Sequence, residues 1–133
     1  MPRTKFKPQQ GFVLFAKNKK RVSAFYQRTL GLRATESKPS HDLLQGDGYE
    51  IVVHAIPRKI AAGITIAKPP VPRIQGAIKP TFVVRSLATV REAAEQAGGS
   101  LKAEAEAWHF RGCTVLDGHD PEGNQLQFKQ RDA

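Results

Sequence analysis

The sequence predicts an α+β fold of two tandem βαβββ modules, and three observations carry that expectation. Strand-like and helix-like periodicities succeed one another in the same order twice. Each predicted helix ends in glycine and is followed by a strand pattern. The two opening strands start 68 to 70 residues apart, which points to an internal duplication. With 133 residues, 40% of them hydrophobic, the chain suits one domain spanning residues 1–133. Module 1 is expected at about 11–56, a linker at 57–76 and module 2 at about 77–131.

In module 1, residues 11–16 (GFVLFA) are aromatic and β-branched, as a strand requires. Residues 19–30 place Val22, Phe25, Tyr26 and Leu30 at helical spacing with Lys19, Lys20 and Arg28 elsewhere, and Gly31 supplies the stop. Strands are expected over 33–38, 41–45 and 49–55, the last two joined by the turn Gly46-Asp47-Gly48. Residues 57–76 lose periodicity and carry Pro69, Pro70 and Pro72, which suits a crossover. Residues 79–85 then read as a strand, 87–97 as a helix closed by Gly98-Gly99, and 101–108 and 112–116 as strands. In DGHDPEGNQLQF, residues 117–128, Asp120-Pro121 opens a tight turn and Gly123 meets its need for positive φ. The last strand, 125–130, follows.

Charge and cysteine narrow the function classes. The net charge of +9 belongs to the first quarter, where residues 1–33 hold nine basic side chains and no acidic one; the remaining 100 residues carry 12 of each sign. Such a patch attracts phosphate without reading sequence, but no recognition helix, zinc finger or aromatic platform accompanies it. Nucleic acid therefore ranks third among the partners. The lone Cys113 excludes an intramolecular disulfide and a cysteine-based zinc site. No apolar run is long enough to cross a bilayer, and the basic first ten residues are followed by only five apolar ones, so neither a membrane partner nor a signal peptide is expected. The cytoplasm is the expected location. No nucleophile with an adjacent base and no phosphate loop is present.

The two βαβββ units, Phe25-Tyr26 followed by Leu30-Gly31, and DPEGN before the last strand together resemble the vicinal oxygen chelate superfamily. That superfamily includes glyoxalase I, extradiol dioxygenases and bleomycin-resistance proteins. The resemblance covers residues 11–131 and implies curved sheets forming a cup-shaped mixed sheet with helices outside, and a homodimer. In metal-dependent members, ligands come from the first and fourth strands of each module. Counting from Phe25-Tyr26 and DPEGN puts those positions on Gly11, Val52, Lys79 (or Thr81 in a register shifted by two) and Gln127. Glycine and valine donate nothing, lysine opposes a cation, and an amide is a weak donor. The resemblance with these departures leads us to expect no metal and no cofactor. A metal-dependent lyase or dioxygenase built on His54, Glu50 and Gln127 is the alternative.

Alternation assigns Phe12, Leu14, Ala16, Ile51, Val53, Phe82, Val84, Leu126 and Phe128 to the core, and Val13, Phe15, Val52, Thr81 and Val83 to the concave side. Sparse polar groups among apolar ones characterise small-molecule sites. The expected ligand-binding residues are Lys79, Gln127, His54, Glu50, Phe15 and Trp108, and the expected function is metal-independent small-molecule binding.

Overall fold

The computed structural model describes residues 7–133. Its elements are β1 (Gly11–Ala16), α1 (Lys19–Leu30), β2 (Arg33–Lys38), β3 (His41–Gln45), β4 (Glu50–Ala55), α2 (Arg58–Ala61), β5 (Thr81–Val84), α3 (Leu87–Gln96), β6 (Ser100–Leu101), β7 (Trp108–Phe110), β8 (Cys113–His119) and β9 (Gln125–Arg131). They form two open sheets. The first has the order β1-β4-β3-β2, and the second β5-β9-β8-β6 with β7 paired to β8. In each, the first strand pairs in parallel with the module's last strand, an order that a hairpin cannot make and the intervening helix can.

The helices form where local sequence says they should. Asn18 caps α1 by accepting from the Arg21 N–H, and Gly31 closes it at φ 67°; Ser86 caps α3 by accepting from the Thr89 N–H. The two helices pack on each other. Beneath them lies one core that includes Val22, Phe25, Tyr26, Leu44, Ile51, Val53, Phe82, Val90, Leu126 and Phe128. Of the nine residues expected there, six are buried and Phe12, Leu14 and Val84 pack against the core's margin. Phe12 and Phe82, at matching positions of the two modules, have ring centroids 6.2 Å apart and join the halves.

Four expectations need correction. Residues 101–108 are not one strand: β6 is two residues long, a 3₁₀ turn occupies Glu104–Glu106, and β7 begins only at Trp108. Alanine and glutamate are weak strand formers. Residues 117–119 continue β8 beyond the expected 112–116, so His119 ends a strand and is paired with Ser100 and Gln125. The linker contains α2, and β5 starts at Thr81, after Pro80.

Candidate functional site

The motifs that name the fold meet each other. The Tyr26 hydroxyl in α1 donates to Asp120 Oδ2 at 2.8 Å. Asp120 is fully buried, and also accepts from the Asn124 side chain at 2.9 Å and from the N–H groups of Glu122 and Asn124 at 2.9 and 3.0 Å. Burial, reinforced by the charge of Asp120, pushes the Tyr26 hydroxyl well above its ordinary value. Glu122 reaches back to module 1, where its carboxylate accepts from the N–H groups of Lys17 and Asn18 at 2.9 and 2.7 Å. These contacts lock module 2's turn to the start and middle of α1.

The opposite faces of the sheets are open. Val13, Phe15 and Val83 are 54%, 59% and 67% exposed there. Strand register sets which residues stand opposite one another on the first and last strands of each module. Gly11 pairs with Glu50 across β1 and β4, and Thr81 pairs with Gln127 across β5 and β9. The neighbouring pairs, Phe12 with Ile51 and Phe82 with Phe128, turn to the core in both modules. Val52 pairs with Val13 rather than with Gly11, and Lys79 precedes β5, two residues before Thr81. Counting from a helix does not fix pairing between strands, and a two-residue slip preserves the face.

This donor set, Gly11, Glu50, Thr81 and Gln127, does not fit a divalent ion. It contains one carboxylate, and that group already accepts from the Gln9 N–H and the Gln45 amide. A Cβ on Gly11 would lie 1.8 Å from the Glu50 carbonyl oxygen, so the backbone leaves no room for a ligating side chain at that position. Among the described residues, no group of three or more His, Cys, Asp or Glu is placed to hold a metal.

The structure brings some expected site residues together and separates others. Lys79 and Gln127 meet through Asp117: the ammonium donates to Asp117 Oδ2 at 2.8 Å, the amide to Oδ1 at 3.2 Å, and Thr81 donates to Gln127 Oε1 at 3.0 Å. Asp117 was absent from the expected set. A hairpin folded about residues 120–124 sets it opposite Gln127, and that symmetry was available in the sequence. Phe15 and His54 meet on the other sheet with rings 5.6 Å apart, and His41 stacks on His54 at 6.2 Å. His41 in turn bonds Glu36, whose carboxyl is held below its ordinary value chiefly by that hydrogen bond. Trp108 lies in β7 with its ring 6.0 Å from that of Phe110, paired with Val115, which shares a face of β8 with Asp117 two residues on.

A cleft of about 590 Å³ opens beside β1 and β5, walled by Phe12, Tyr49, Phe82 and Val83 and floored near Gly11 and Thr81. None of the six expected residues lines it directly. Glu50 and Gln127 sit one strand away, paired with Gly11 and Thr81, and His54 opens into a separate groove of about 690 Å³ beside α2.

Two strand-helix-sheet modules, the second with its third segment split into β6 and β7, helices on one side and a cleft beside β1 and β5 define the glyoxalase/bleomycin-resistance type of fold. The family profile of the glyoxalase-like domain matches residues 11–128, and the chain belongs to that family. Among solved structures, it is similar to a glyoxalase-related enzyme from Fulvimarina pelagi, with TM-score 0.66 and 17% identity over 95% of this chain and 89% of the other. It is similar also to a bleomycin resistance determinant encoded on the transposon Tn5, with TM-score 0.61 and 18% identity over 96% and 100%. A glyoxalase/bleomycin resistance protein/dioxygenase family enzyme from Burkholderia phytofirmans PsJN gives TM-score 0.65 and 17% identity over 92% and 97%. No curated protein matches the sequence. No described helix is long and apolar enough to cross a membrane.

Proposed function

We propose that the protein binds a small molecule in the cleft beside β1 and β5, without a metal ion, as a cytoplasmic homodimer. The cleft carries the reading. Its volume lies within the roughly 300–1,000 Å³ typical of ligand sites, and Phe12, Tyr49, Phe82 and Val83 give it an apolar wall beside the polar Gln10, Asp47 and Thr81. Lys79, Asp117, Thr81 and Gln127 supply a pre-bonded polar network beside it, suited to orienting a ligand rather than attacking one. The dimer is supported by Val13, Phe15, Val83, Trp108 and Phe110, all large apolar side chains exposed on or beside the helix-free faces, which a second copy would cover.

The test is a thermal-shift screen of metabolite-sized compounds, followed by titration of each hit into Thr81→Trp and Lys79→Met. Thr81→Trp fills the cleft at an exposed position and is expected to abolish binding; Lys79→Met is expected to weaken it. Hits that bind Thr81→Trp as tightly as the parent would refute the cleft. Light scattering is expected to give a dimer mass for the parent and a monomer mass for Phe15→Glu.

The alternative, a metal-dependent lyase or dioxygenase, would have to rest on Glu50, the one carboxylate of the set, which already accepts from the Gln9 N–H and the Gln45 amide. A stoichiometric divalent ion in chelator-free protein, lost on Glu50→Ala, would establish it; metal-free protein that still binds its hits would remove it.

A further inference from the structure

Three cationic side chains gather round a second cavity that the cleft does not use. Lys17, Arg21 and Lys68 line about 340 Å³ of space at the start of α1, together with Thr65 and Glu122. Among the described residues lining it, Glu122 is the only carboxylate. It is 5% exposed and committed to the N–H groups of Lys17 and Asn18, which leaves three cations against one acid already bonded to backbone. Among the described ion pairs, none includes Lys17, Arg21 or Lys68.

The cations are also placed. The Lys17 ammonium donates to the Ile64 carbonyl, which holds the linker over the start of α1 and brings Lys68 alongside. Arg21 turns toward the end of α3, where a Cβ on Gly98 would come within 2.6 Å of its Nη2; the missing side chain at φ +88° makes that position available.

We propose that this cavity binds a small phosphorylated anion, with Arg21 and Lys68 as its principal contacts. A guanidinium fork matches two phosphate oxygens, and an ammonium from the linker supplies a second charge. The space lies within the roughly 300–1,000 Å³ range of small-ligand sites, and a concave pocket of this kind suits a compact anion better than a duplex backbone. Because Lys68 belongs to the linker and Arg21 to α1, the bound anion ties the two together. The site is independent of the cleft beside β1 and β5.

The test titrates inorganic pyrophosphate into the full chain by calorimetry at constant ionic strength, with chloride as the comparison anion. Saturable binding with a dissociation constant of about 1 mM or tighter is expected. It should weaken at least about tenfold in the double variant Arg21→Gln/Lys68→Gln and stay unchanged in Lys38→Gln. All three positions are exposed, and melting temperatures measured without ligand verify that the variants fold. Absence of saturable binding in the parent, or equal affinity in the double variant, overturns the proposal. So does a parent that ignores pyrophosphate but binds random duplex through the same two side chains, which reassigns them to a nucleic-acid surface.

Discussion

Helix α1 is held by two buried aspartates, one from each module, and they are surrounded by opposite chemistry. Asp42 of module 1 receives the Lys19 ammonium at 2.8 Å and the hydroxyls of Ser23 and Ser37, each at 2.6 Å. Asp120 of module 2 receives only neutral donors: Tyr26, the Asn124 amide and two backbone N–H groups. Burial pushes both carboxyls up. At Asp42 the bonds from Lys19, Ser23 and Ser37 outweigh it and the group titrates below its ordinary value; at Asp120 burial wins over four hydrogen bonds and the group titrates above. Lys19 with two serine hydroxyls stabilises the Asp42 anion, whereas at the more deeply buried Asp120 neutral donors do not offset burial.

The largest effect is expected at the neutral-donor site. Asp120→Ala strands the Tyr26 hydroxyl, which is 1% exposed, together with two backbone N–H groups of the turn. A loss of about 3–5 kcal/mol in urea unfolding at pH 7 should follow, and a loss under about 1 kcal/mol would show that the turn does not lock the modules. Tyr26→Phe removes one donor from the same network and should cost about 1–2 kcal/mol.

Asp42→Ala is expected to cost less, about 2 kcal/mol, because its partner Lys19 keeps some contact with water. Its pH dependence separates the two sites. With a folded value below the ordinary 3.8, Asp42 contributes stability that is present above 3.8 and fades as acid drives the pH down through the folded value. The gap between parent and Asp42→Ala should therefore shrink on acidification. With a folded value above 3.8, Asp120 contributes most below 3.8, and its contribution falls as the pH rises through the folded value. The gap for Asp120→Ala should grow on acidification. Unfolding curves between neutral and acid pH check both slopes, and parallel slopes would break the contrast.

The same contrast explains what was legible in the sequence. Element order, glycine stops and the buried side of each strand follow from local periodicity, and Phe25-Tyr26 and DPEGN point to the family because they fold against each other. Their residues build the lock, so they identify the scaffold without identifying chemistry. The open face was harder to read. Its partners are fixed by register between strands, which is why Glu50 rather than Val52 stands opposite Gly11 and why Asp117 lies between Lys79 and Gln127. Gly118 lies inside β8, where a Cβ would sit 2.5 Å from the Ser100 carbonyl oxygen of the neighbouring strand, so the position calls for glycine. No local pattern announces a close approach from eighteen residues away.

Lys79→Met should give the smallest change in stability and the most specific one in binding. Lys79 and Asp117 form an ion pair with side chains 39% and 21% exposed, in reach of water and salt, so its loss should cost at most about 0.5–1 kcal/mol. Asp117 also accepts from Gln127, which is bonded to Thr81 at the cleft floor, so the substitution loosens the group that orients a residue lining the cleft. Weaker ligand binding at nearly unchanged stability would separate the open face from the lock. A stability loss as large as that of Asp42→Ala would place Lys79 among the structural contacts instead, and the two sides of the sheets would no longer divide fold from function.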